Sequence, residues 1–170
     1  MEAFTGTTRL ILLGFFASHI IFTICLDGQA VIPLSFFPQF LIDLGEFEVA
    51  TFNDPLMGNA RNLLWFQSFV VLELCFQLPF FCVAVYYLSQ SDRSTYPDGF
   101  RSACIAYGAH TSTTLVPILT SFWASEHVAS FTERVLLTSL YFPYLAIPLW
   151  LLWTTATATP TQTNSSKKSQ

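Results

Sequence analysis

Charge is scarce in this sequence. Asp, Glu, Lys and Arg make up 11% of its 170 residues, where a soluble domain carries about 25%. A chain of this size has more surface than so few charges can cover, which excludes an ordinary water-soluble globule. Basic residues are scarcer still. Seven Lys and Arg stand against eleven Asp and Glu, a net charge of -4, so no basic face is available for nucleic acid. The four cysteines, Cys25, Cys75, Cys82 and Cys104, form no C-x-x-C pair. Three lie inside apolar runs, where a thiol acts as a small hydrophobe, and Cys25 at the end of a run is ambiguous. His19, His110 and His127 are scattered along the chain. Neither a metal site nor a cofactor motif is therefore expected.

Apolar length is abundant instead. Hydrophobic residues make up 52% of the chain and Phe alone contributes 18. Four runs, about 10–26, 63–88, 102–123 and 135–153, approach or exceed the roughly 20 residues that carry a helix across a bilayer. The expected fold is an all-α membrane protein, a four-helix transmembrane bundle around an internal polar and aromatic cavity. A short N-terminal segment (1–9) precedes it, a long loop joins the first two spans, and a Thr/Ser-rich tail (154–170) follows. The first run lacks an A-x-A cleavage pattern and is preceded by Glu2 and a single Arg9, so it is expected to be retained as a span.

Four crossings would put Arg9, Arg93, Arg101, Lys167 and Lys168 on one side, with only Arg61 and Arg134 on the other. The positive-inside rule then places both termini in the cytosol and the acidic first loop in the lumen. Lys167 and Lys168 are the fourth- and third-last residues of the sequence. That placement matches a dilysine signal for retrieval to the endoplasmic reticulum, an address rather than an anchor. The plainer alternative is that they only solubilise a polar, disordered tail.

Polar groups at membrane depth carry the chemistry. A charge at the centre of a membrane helix costs about 2.5–3.5 kcal/mol, so such a residue marks a site by default. Glu73 and Gln77 share a helix face in the second run, just before Pro79. Pro79 removes the donor for the carbonyl of Cys75, freeing that acceptor or kinking the helix. Glu73 is expected there as a neutral acid, hydrogen-bonded within the bundle, with Gln77 the nearest partner by spacing. It either clamps helices together or lines a pocket.

The other runs carry stripes as well. His19, Thr23 and Asp27 recur every four residues in the first. Tyr107, His110, Thr111 and Thr114 share a face of the third, and Tyr141, Tyr144 and Pro148 a face of the fourth. Single groups of this kind are usually packing glue. Convergent stripes suggest a cavity, with Phe66, Phe69, Tyr107, Tyr141 and Tyr144 as aromatic wall. Carboxylates in such a cavity attract a cation with an apolar body, by ion pairing and cation–π contact. Asp27 extends the His19 stripe to the pocket mouth. Asp54-Pro55 has the form of a helix start, Asp capping and Pro following. Asp43, Glu46 and Glu48 are expected as plain solvated acids.

Several motifs match a known pattern in order from Ser18 to Pro148. They are Ser18-His19-Ile20, Asp27-Gly28-Gln29-Ala30-Val31-Ile32-Pro33, Asp54-Pro55-Leu56 and the stretch Glu73 to Phe81. His110 to Pro117 and Tyr141 to Pro148 complete the set. In these the chain resembles the sigma-2-receptor type of the EXPERA-domain family, to which the sterol Δ8–Δ7 isomerase is related. The resemblance implies a four-helix protein of the endoplasmic-reticulum membrane, often a homodimer. It would bind sterols or oxysterols and cationic amphiphiles, and act in cholesterol homeostasis together with a Niemann–Pick-type cholesterol transporter.

The resemblance also implies that Asp27 pairs with a ligand amine, that Asp54 supports Asp27, and that Glu73 and Gln77 form the deep polar pair. His19, Phe52, Phe69, Tyr107, Thr114, Tyr141 and Tyr144 would line the cavity. Where mammalian members carry a Lys-rich tail, this one is Thr/Ser-rich. Three functions compete on these residues: a non-catalytic lipid and amphiphile binder, an isomerase-like enzyme, and a chaperone or subunit with no ligand. Isomerisation needs an acid and a base at depth, and Glu73 is the one carboxylate there, which favours the binder.

Overall fold

The computed structural model describes residues 1–128 and 130–158. Lys167 and Lys168 lie outside the described residues. The chain is helical: α1 (Gly6–Cys25), α2 (Gln39–Phe52), α3 (Leu64–Leu72), α4 (Leu78–Ser89), α5 (Asp98–Ala124), α6 (Phe131–Tyr141) and α7 (Pro143–Thr157). Among the described residues the β contact is a single bridge between Glu2 and Thr95. Three stretches are both long and apolar enough to cross a membrane: Gly6–Ala30, Leu64–Ser89 and Phe131–Thr157. α5 matches them in length at 27 residues but not in apolarity. It holds Asp98, Arg101 and His110 and a run of Thr and Ser. Of the four runs expected to span, three are found in helices long and apolar enough to cross a membrane, and α5 has the length but falls short in apolarity. The reason is packing: α5 buries Tyr107, Thr111, Ser112 and Thr114, so neighbouring helices rather than lipid surround its polar face.

α5 packs hardest on α7. A Cβ added at Gly108 would lie 2.7 Å from both Leu152 Cβ and Pro148 O, so only a glycine lets the two backbones approach this closely. α1 packs on α4 through Phe16, Phe80 and Phe81, with Tyr107 of α5 stacked on Phe80 at a centroid distance of 4.5 Å.

Polar contacts tie the helix ends into two levels. At one end Arg9 donates to Leu88 O (2.7 Å), and Arg101 donates to Thr155 O (2.8 Å) and Ala156 O (3.1 Å). Both guanidiniums thereby meet orphan carbonyls at the negative ends of helix dipoles. The N-terminal segment pairs with the α4–α5 connection at the same end, Tyr96 N donating to Met1 O. At the other end Asn53 Nδ2 donates to His127 O, and Arg61 donates to Gln29 O and Ile32 O. The long first loop is therefore ordered. It contains α2 and short 3-10 turns folded over the mouth of the bundle.

Pro79 follows a local widening of the helix. Residues Glu73–Gln77 form a π turn in which Leu78 N–H reaches Glu73 O, one residue wider than an α turn. The proline ring cannot sit against the carbonyl four residues back, and the wider turn gives it room. α6 and α7 likewise break at Phe142, where Pro143 begins the next helix.

Candidate functional site

The π turn sets the deep polar geometry. Glu73 Oε1 accepts from Thr23 Oγ1 of α1 at 2.7 Å, and Gln77 Oε1 accepts from Thr111 Oγ1 of α5 at 3.0 Å. The bond expected between Glu73 and Gln77 is replaced by one from each to a different helix. The widened turn spreads the two side chains, and a threonine hydroxyl meets each. His19 is 8% exposed and boxed by rings: Tyr144 at 4.6 Å, Phe81 at 4.7 Å and Phe15 at 4.9 Å between centroids. Its Nε2 lies 3.9 Å from Glu73 Oε1, and its Nδ1 has no hydrogen-bond partner.

Above this level a pocket of about 260 Å³ opens between α1, α2, the π turn, α5 and the α6–α7 break. His19, Asp27, Glu73 and Gln77 supply polar lining, with Thr111 and Thr114 of α5. Phe52, Phe66, Phe69, Tyr141 and Tyr144 supply aromatic wall, and Leu115 and Ile118 close the α5 side. Among the described residues no Lys or Arg lines it. Its chemistry suits an apolar body with a cationic group.

The decisive observation is on sequence: the EXPERA family (EXPanded EBP superfamily) matches residues 40–155. The chain belongs to the EXPERA family. It is 39% identical over 153 residues to "Sigma intracellular receptor 2" of Homo sapiens, covering 83% of each chain. To the protein of the same name from Xenopus tropicalis it is 40% identical over 147 residues, 82% of each. It is also 29% identical over 137 residues, 81% of this chain and 68% of the other, to "Efficient mitochondria targeting-associated protein 19" of Schizosaccharomyces pombe.

In this EXPERA chain two residues of the expected site stand outside the pocket wall. Asp54 is 2% exposed and acts from behind it. Its Oδ1 accepts from Leu56 N (2.8 Å) and Met57 N (3.1 Å), and its Oδ2 from Tyr141 Oη at 2.6 Å. It caps the turn after Pro55 and fixes the ring of Tyr141, which does line the pocket. Tyr107 is buried in the aromatic stack with Phe16, Phe80 and Phe81.

The pocket also gains residues that sequence reasoning passed over, among them Phe22, Gly45, Met57 and Leu140. The most consequential is Glu48, expected as a solvated acid but half-buried in the pocket wall. Burial, with the negative charge of Asp54 as the smaller cause, pushes its carboxyl from 4.5 up to about 7. The signal was available: in a helix running to Phe52, position 48 lies one turn back on the same face. Three acidic residues among the apolar ones of α2 (Asp43, Glu46 and Glu48) mask that spacing in the sequence.

Proposed function

We propose that this protein is a sigma-2-receptor-type membrane protein that binds sterols and cationic amphiphiles within the membrane and regulates sterol homeostasis and trafficking. The pocket carries this reading. It is an aromatic, mostly apolar space in which Asp27 has no Lys or Arg within ion-pair distance among the described residues. A carboxylate desolvated in that way is best matched by a ligand cation. Asp27 is the counter-ion, while Glu73, engaged by Thr23, and Gln77 hold the deep end. The protein resides in the endoplasmic-reticulum membrane with both termini cytosolic, α5 is the fourth span, and Lys167 and Lys168 act in retrieval. A second copy of the chain and a Niemann–Pick-type cholesterol transporter are its proposed protein partners.

Titration of purified protein with one cationic amphiphile and one neutral sterol tests the reading. Asp27→Asn should cost the cation about 30-fold or more, the equivalent of losing a desolvated charge partner, and cost the sterol far less. Glu73→Gln, which keeps a hydrogen-bonding group, should change cation affinity little. Normal cation binding by Asp27→Asn, with loss in Glu73→Gln, would reverse the two roles.

One observation favours a second reading, isomerase-like catalysis. His19 and Glu73 form an imidazole and carboxyl pair inside the pocket, the types of group that double-bond migration requires. Conversion of a Δ8 sterol by the purified protein, abolished by His19→Ala, would select it over the binder.

A further inference from the structure

Glu48 is the pocket acid that the binding reading leaves without a task. Its position is built rather than incidental. Gln29 Nε2 donates to Cys25 O (2.7 Å) and to Leu41 O (2.9 Å), clamping α2 against the end of α1. Gly45 makes the clamp possible, since a Cβ there would meet Gln29 Oε1 at 3.3 Å. Glu48 lies three residues beyond Gly45 on the same helix face, and Asp27 two residues before Gln29. The clamp therefore brings both carboxylates to one wall of the pocket. Among the described residues neither has a Lys or Arg within ion-pair distance. The deep carboxyl of Glu73 differs, being engaged by Thr23. His19 lines the same pocket, buried and with Nδ1 unpartnered, a polar group that the protein itself leaves unsatisfied.

A single amine can neutralise one of these acids and leaves the other facing an apolar cavity without compensation. We propose that the pocket is matched to a dibasic amphiphile, an apolar body bearing two protonated amines, with Asp27 holding one and Glu48 the other. Glu48 is then a specificity determinant, separating dibasic from monobasic ligands. The inference rests on the reading of Asp27 as an amine counter-ion and deepens it.

The electrostatic setting makes the preference depend on pH. The titratable groups around Glu48 are Asp27 and His19 from α1 and the turn after it, Asp54 from the turn after α2, and Glu73 from the π turn. Tyr141 and Tyr144 complete the set from α6 and α7. With its carboxyl near 7, Glu48 gains its charge through the neutral range, whereas aliphatic amines stay protonated across it. The dibasic advantage should grow from pH 6.0 to pH 7.5.

The test titrates the full chain in detergent with 4-phenylbutylamine and with N-(4-phenylbutyl)-1,4-diaminobutane, which share one apolar body. Wild-type protein should bind the diamine at least tenfold more tightly at pH 7.5, with the advantage falling threefold or more at pH 6.0. Glu48→Gln should erase the advantage while leaving monoamine affinity within about threefold. Should Glu48→Gln lose its cooperative melt, the comparison of the two pH values on wild-type protein decides the same point. Equal affinities in the wild type, or a pH-independent preference retained by Glu48→Gln, would overturn the proposal. Monoamine binding without a diamine preference overturns this inference alone; no binding of either amine overturns the Asp27 reading with it.

Discussion

At the residue scale, Asp54 and Glu48 exchange the roles that their sequence contexts suggest. Asp54 sits in the stronger motif yet is used for structure: it accepts three hydrogen bonds and holds Tyr141. A charge-assisted bond at 2.6 Å in a nearly water-free position should couple strongly. Asp54→Asn and Tyr141→Phe are each expected to cost about 1–3 kcal/mol. The double variant should cost clearly less than their sum, read from melting in a double-mutant cycle; strict additivity would deny the contact.

Glu48 is predicted to affect stability with the opposite pH sense to a salt-bridged acid. Its carboxyl is held above its ordinary value in the folded protein, so the folded state binds that proton more tightly than the unfolded chain does. Its contribution is greatest below about 4.5 and is lost as pH rises through about 7. The melting temperature of Glu48→Gln relative to wild type should therefore rise between pH 5 and pH 7.5. A constant difference would place Glu48 in bulk solvent.

At the scale of elements, the helices were legible wherever apolar length was the signal, and α1 and the stretch from Leu64 to Ser89 follow from hydropathy alone. α2 was not legible in that way. It carries Asp43, Glu46 and Glu48 and presents exposed Phe40, Leu44 and Phe47, so neither a clean apolar face nor a polar one stands out. The effect of Pro79 was legible as a disturbance but not as a π turn, because a proline removes one bond without specifying how neighbours take up the slack. α5 and α7 meet at Gly108, and this contact yields a contrasting pair of variants. Gly108→Ala should lose about 1–3 kcal/mol by overpacking against backbone that cannot move aside. Gly14→Ala, in α1 with nothing within 4 Å of an added Cβ, should gain up to about 1 kcal/mol from helix propensity. Thermal melts in detergent compare them directly, and equal shifts would mean that the close approach is relaxed in solution.

At the scale of the whole molecule, the two levels of end contacts bear on topology. The N-terminal segment, the α4–α5 connection and the end of α7 share one end, through Met1 with Tyr96 and Arg101 with Thr155. The first loop and the α5–α6 connection share the other, through Asn53 and His127. With the basic residues weighted to the first end, a glycosylation acceptor inserted beside Glu46 should be modified in cells, and one inserted in the tail should not. The reverse pattern would invert the orientation.

Composition by itself determined that this chain belongs in a membrane. Too few charges and long apolar runs leave no soluble alternative, and burying polar backbone in lipid forces helices. Ordered motifs along the chain pointed to the family, and polar residues in apolar runs pointed to the level of the site. Which polar groups pair, which acid faces the pocket and which stays behind its wall were decided only by tertiary structure. Helical spacing fixes the face a residue shares with its own neighbours, but not the helix that the face will meet. Thr23 found Glu73, Thr111 found Gln77, and the Gln29 clamp turned Glu48 inward because packing set the distances between elements that the sequence leaves far apart.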